Sequence, residues 1–239
     1  MSDIKIGIPL YNNFDSLDVL GAFQVFYMTA GVQPTLLAES MQPVRSLEGI
    51  EITPQATFDK TETLDVLFVP GGVQLGLILN NQGPDQNTLL AFLRRIARGK
   101  PEPRLITAVC TGALLLAAAG LLDGYEATTH WNYKEVLGLF PKITVAKGYP
   151  RWCEDRNRIT GGGISSTIDE AFYIVKRLVG AEAAQCAQLT IQYAPNPPFR
   201  DGDPSEANPD VYRKVSAQIA DPETTEAFQK WIARWGGGV

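Results

Sequence analysis

Histidine is almost missing from this chain: His130 is the single one among 239 residues. Zinc and haem sites are therefore poorly supplied with ligands, and no metal is expected. Cysteine is sparse too, with only Cys110, Cys153 and Cys186, no CxxC pair and no framework spacing. Isolated thiols of this kind suit a reducing compartment, so a cytoplasmic location is expected. No apolar run approaches the roughly 20 residues of a membrane helix, and Met1-Ser2-Asp3-Ile4-Lys5 lacks the layout of a signal peptide. A basic cluster is absent and the formal net charge is −5, which argues against nucleic acid as a partner. The glycines show neither GxGxxG nor GxxxxGK spacing, so a phosphate loop is excluded.

What is present is ordinary for a globular protein: 45% hydrophobic and 20% charged residues. Ile4 to Leu10 alternates as a strand, and Leu17 to Ala30 carries apolar residues at helical spacing up to Gly31. Pro34 to Ala38 predicts a second strand, and Val44 to Phe58 a broken meander. Asp65 to Val69 is the nearly all-apolar run of a strand buried on both faces. Asn87 to Arg98 predicts an amphipathic helix, Ala127 to Thr129 a short strand and Asn132 to Phe140 a short helix. Ile143 to Ala146 and Arg158 to Thr160 predict strands around a hairpin at Trp152 to Asp155. A long helix follows Gly161-Gly162-Gly163, with Ser166 or Thr167 as its N-cap and Asp169 or Glu170 completing a capping box. Another helix runs from Ala181 to about Tyr193.

Strands alternating with helices predict an α/β fold: a doubly wound, mostly parallel sheet covered on both faces. One domain over 1–239 is expected. It includes a proline-rich segment at 194–210, too broken for regular structure, and two terminal helices within 211–235. No internal repeat occurs, and no low-complexity tract beyond Gly236-Gly237-Gly238.

Cys110 lies between the apolar run Leu105 to Val109 and the Ala/Leu-rich run that starts at Gly112. A cysteine at such a strand–helix seam faces free amide N–H groups and the positive end of a helix dipole, which favour its thiolate. The competing reading is a structural thiol, because free cysteine is among the most buried residue types. In open parallel sheets ligands bind beyond the carboxyl ends of the strands. Asp15 and Asp18, Gly71-Gly72, Cys110 and the glycine triplet all fall at such ends. This convergence favours chemistry at Cys110.

Asp18 opens the first helix, where dipole compensation alone explains a carboxylate. As a partner of Cys110 it would share one proton with the thiol and serve as general acid and base. Thr111 offers a hydroxyl and an amide beside the cysteine. Gly72 is either a turn glycine or an amide N–H open to substrate. His130 is either a base beside the thiol or a structural imidazole. Cys153 and Cys186 are read as structural.

Taken together, these residues resemble the DJ-1/PfpI superfamily, and within it the isonitrile (isocyanide) hydratases. The resemblance rests on Leu17 to Gly21, Val69 to Gly72, Val109 to Gly112 with Ala118 to Leu122, and Ala127 to Trp131. Thr160 to Ile164 and Gln192 to Phe199 support it. It implies a flavodoxin-like fold, a homodimer with the first helix near the interface, and cofactor-independent hydration of a small isonitrile. Cys110, Asp18 and Thr111 would be catalytic, with Gly72, Ile164 and His130 against the substrate. The protease-like branch has histidine after the cysteine; Thr111 stands there instead. Many members have glutamate at this position; this chain has an aspartate, Asp18, as in the hydratases. The regulator branch carries a helix-turn-helix domain, for which too little chain follows Asp210. The alternatives are glyoxalase-like attack on a 2-oxoaldehyde, a redox-sensing Cys110 and a ligand-sensing domain.

Overall fold

The computed structural model describes residues 3–80, 82–219 and 221–236. The chain start at Met1-Ser2, the expected helix end at Ala220 and the last glycines lie outside them.

The first strand, β1 (Ile4–Pro9), runs straight into α1 (Ser16–Tyr27), and β2 (Val32–Ala38) follows. The expected meander is three two-residue strands, β3 (Val44–Arg45), β4 (Glu51–Ile52) and β5 (Ala56–Thr57). Next come β6 (Val66–Val69), α2 (Leu75–Leu79), α3 (Thr88–Ala97), β7 (Leu105–Ala108) and α4 (Gly112–Ala118). The sequence reading missed α2, a single turn flanked by Gln74 and Asn80 in left-handed conformation. Then follow β8 (Glu126–Ala127), a 3-10 turn at Trp131–Tyr133, α5 (Lys134–Leu137), β9 (Thr144–Val145), β10 (Trp152–Asp155) and β11 (Arg158–Gly161). The chain continues through α6 (Ser166–Leu178), α7 (Ala181–Thr190), α8 (Pro209–Gln218) and α9 (Pro222–Trp235).

Seven strands form one sheet in the order β10-β11-β7-β6-β1-β2-β5. All neighbours are parallel except the β10–β11 hairpin. The expected strands at Ala127 and Ile143 exist but pair with each other outside this sheet. β6 and β7 are buried at every residue, as strands covered on both faces must be. Helices cover both faces: α1 packs on α6 and α6 on α7, while α3 packs on α4 and α4 on α5. The terminal helices do not stand apart, for α9 packs on α2 and buries Phe228 and Trp231 in the core.

The chain winds outward from β1 through β2 and β5, then crosses back to β6. Strand order therefore reverses between β1 and β6. The loops after β1, β6, β7 and β11 leave the same edge of the sheet, and the candidate residues lie on or just after them, except His130, which follows β8.

Candidate active site

Asp15 caps α1: its Oδ1 accepts from the Leu17 and Asp18 amides at 2.9 and 3.3 Å. That cap fixes the first turn and carries Asp18 inward, where it is fully buried. Asp18 does more than compensate the dipole. Its Oδ2 accepts from the Gly71 amide at 2.8 Å, and its Oδ1 accepts from the Thr167 hydroxyl of α6 at 3.2 Å.

Cys110 occupies the elbow between β7 and α4 with φ +55°, a left-handed conformation that cysteine seldom adopts. The neighbouring contacts hold it there. Its amide donates to Gly162 O at 2.9 Å, and its carbonyl accepts from Thr129 Oγ1 at 2.7 Å. The elbow is tight: a side chain at Gly112 would overlap the Val69 and Pro70 carbonyls. Gly71 marks where the parts converge. A Cβ on it would lie 2.7 Å from Cys110 Cβ, 2.7 Å from the Thr111 nitrogen and 2.8 Å from Asp18 Oδ2.

Gly72 differs from expectation. Its amide is not open to a ligand but donates to Thr111 Oγ1 at 2.8 Å. The sequence reading gave Gly71, whose amide serves Asp18, no role of its own. It passed over Tyr11. The Tyr11 hydroxyl donates to Pro70 O at 2.7 Å, and that carbonyl belongs to the same peptide unit as the Gly71 N–H.

The expected capping box on α6 is absent. Ser165 is the N-cap, but its hydroxyl accepts from Arg151 rather than from a helix amide, and Ser166, Thr167 and Glu170 are all buried. They continue the face formed by Ala171, Ile174 and Val175, so helical spacing from those residues was the signal that could have found them.

Burial raises the pKa values of both members of the pair. Asp18 is held well above the usual carboxylate range by burial and then by the charge of Asp15, against the bonds from Gly71, Thr167 and Cys110. Burial and then the charge of Asp18 push the Cys110 thiol up, while Thr111 pulls it back. The thiolate-favouring effect expected at the helix start is thus outweighed. Two anions cannot coexist in this enclosure, so thiol and carboxyl share protons as one unit.

A cleft of about 1090 Å³ opens beside the pair. His130 and Ile164 line it, as do Leu17, Thr129 and Gly162. Thr129 and Gly162 are the residues bonded to the Cys110 backbone, so that backbone lies just behind the cleft wall. Pro195, Pro197 and Phe199 of the proline-rich segment form another side. Burial lowers His130 to about 4, and its Nδ1 accepts from the Asn132 amide at 3.3 Å. It is therefore a neutral wall residue at neutral pH. Another cavity, about 620 Å³, is lined by Tyr11, Asn13 and Gln74, with no cysteine among its described lining residues. Among the described residues, no group of three or more His, Cys, Asp or Glu is placed to hold a metal ion.

Residues 4–177 match the model of the DJ-1/PfpI family. The chain belongs to the DJ-1/PfpI family. Among its relatives is the isonitrile hydratase of Pseudomonas putida, 40% identical over 204 residues, 85% of either chain. The HTH-type transcriptional regulator GbdR of Pseudomonas aeruginosa is 30% identical over 74% of this chain, which spans only 47% of that regulator. A solved ThiJ/PfpI family protein from Pseudomonas syringae superposes with a TM-score of 0.85 at 33% identity, covering 100% of this chain and 92% of the other. The DJ-1/PfpI fold of this chain is flavodoxin-like, as its resemblance implied. No helix among the described residues is long and apolar enough to cross a membrane.

Proposed function

We propose that the protein hydrates isonitriles, R–N≡C, to N-substituted formamides. The observation that carries this reading is the buried pairing of Cys110 with an aspartate, Asp18, bonded to the Gly71 amide and beside Thr111. The likeness to the Pseudomonas putida hydratase over 85% of both chains supports it.

In this mechanism the Cys110 sulfur bonds to the terminal carbon and the proton of Asp18 moves to that carbon, giving a thioimidate. Water then bonds to the same carbon and yields a proton to Asp18, which passes it to nitrogen. The new hydroxyl collapses to a carbonyl. Its proton returns to Asp18, the C–S bond breaks, and the formamide leaves. The pair ends with the one proton it began with, and no metal or organic cofactor takes part. Ile164 and His130 would contact R from the cleft wall. Gly72 would act through Thr111 rather than touch the substrate.

The protein is read as a cytoplasmic homodimer acting on a small molecule. Leu17, Leu20 and Tyr27 of α1 are exposed, which suits an interface on that helix. Sedimentation at a dimer mass is expected.

Incubation with an alkyl isonitrile is expected to yield formamide, and Cys110→Ala to yield none. An active Cys110→Ala protein would sink the mechanism. Lactate from methylglyoxal without isonitrile turnover would replace this reading with glyoxalase-like chemistry. Stoichiometric oxidation of Cys110 by peroxide, with neither substrate consumed, would replace it with redox sensing.

A further inference from the structure

Glu170 is a carboxylic acid the mechanism above leaves unused. It is fully buried, and neither Oε1 nor Oε2 has a hydrogen-bond partner. Its carboxyl lies over the Cα of Gly161, the last residue of β11: any side chain on Gly161 would overlap Oε2, and would also come within 2.9 Å of Val109 Cγ2. Val109 precedes Cys110, so the acid packs under the catalytic elbow. Ser166, one turn earlier on the same buried face of α6, is likewise unpartnered, and it lines the cleft.

Among the described residues, the elements around Glu170 offer it no cation. From α1 comes the acid Asp18, whose charge acts on it after burial itself. The elbow after β7 presents Val109, and β11 presents Gly161. From α7, packed on α6, the core receives Ala183, Ala184 and Ala187. On β10, Glu154 is engaged by Tyr173 and Arg177 farther along α6. An ionised carboxylate without counter-charge or hydrogen bond in such a place costs several kcal/mol, whereas the neutral acid costs far less. Both influences on its acidity act in that direction.

We propose that Glu170 is a positioning residue that works as a neutral acid, leaving Asp18 free to carry the negative charge of the site when it hands its proton to substrate. Thr167, three residues before Glu170 on the buried face of α6, bonds Asp18 at 3.2 Å, so the two acids face one enclosure. Two carboxylates there would oppose one another, so ionisation of Glu170 shuts down proton donation by Asp18. Activity then ends at alkaline pH when Glu170 loses its proton. The idea rests on the catalytic pairing of Asp18 with Cys110.

The first test needs no substrate. The infrared spectrum of wild type minus Glu170→Gln at neutral pH is expected to show a protonated-carboxyl carbonyl band that the variant lacks. No lost band means Glu170 is ionised, and the proposal falls. If the variant does not fold, an isotope-edited spectrum of wild type with labelled glutamate reads the same band. The second test is turnover of an alkyl isonitrile against pH. The alkaline decline is expected to move up by about one unit in Glu170→Gln, and coincident declines overturn the role. Failure of isonitrile turnover in wild type would undo the substrate assignment and leave the infrared result standing.

Discussion

Thr111 and Gly72 clasp one another: the Thr111 hydroxyl accepts from the Gly72 amide at 2.8 Å and donates to the Gly72 carbonyl at 2.7 Å. The hydroxyl has a single hydrogen, and the Cys110 sulfur also lies within its reach. Thr111 thus joins the loop after β6 to the elbow after β7, and its proton can favour the carbonyl or a newly formed thiolate.

Replacing that hydroxyl by a methyl strands both Gly72 groups in the interior. Thr111→Val is expected to lower stability by about 1–3 kcal/mol in denaturant melts. Thr111→Ser keeps the clasp and should lose under half as much. Equal losses in the two variants would mean that packing, not the hydroxyl, holds the loop.

Gly71 has no room for a methyl group, since it would press at once on Cys110, Thr111 and Asp18. Gly71→Ala is expected to cut turnover at least tenfold while circular dichroism stays native-like. A fully active variant would show that the three residues need not hold this spacing.

Asp18 raises the Cys110 thiol because a nearby negative charge disfavours the thiolate. Asp18→Asn removes that charge. Iodoacetamide alkylation of Cys110 should then begin at lower pH than in wild type, while isonitrile turnover falls by about a hundredfold or more for want of the acid. Alkylation shifted to higher pH would reverse the assignment of the charge.

His130 titrates at about 4 in the fold against an ordinary 6.5, because burial opposes its charge. Between those values the unfolded chain binds more protons, so folding stability falls as pH drops from about 6.5 toward 4. The loss is at most about 3 kcal/mol. His130→Asn should flatten this part of the stability curve in urea titrations, and an unchanged slope would place the acid sensitivity elsewhere.

The alternation of strands and helices, the all-apolar β6, and the meeting of Asp18, the Gly71-Gly72 loop and Cys110 at the strand ends were all legible in the order of the amino acids. These follow from local periodicity and from the rule that parallel strands bind ligands at their carboxyl edge. The family motifs lie on those same segments. Packing in three dimensions settled which glycine amide serves Asp18, that Thr111 holds Gly72, and that Glu170 lies inside instead of capping a helix. Each of these depends on residues far apart in the chain: Gly71 and Asp18 are 53 positions apart, Thr167 and Asp18 are 149. The acidity of Cys110 shows the physical reason most plainly. Its place before a helix argued for an easily formed thiolate. Burial and Asp18 reverse that, because desolvation and a neighbouring charge depend on what surrounds the sulfur in space.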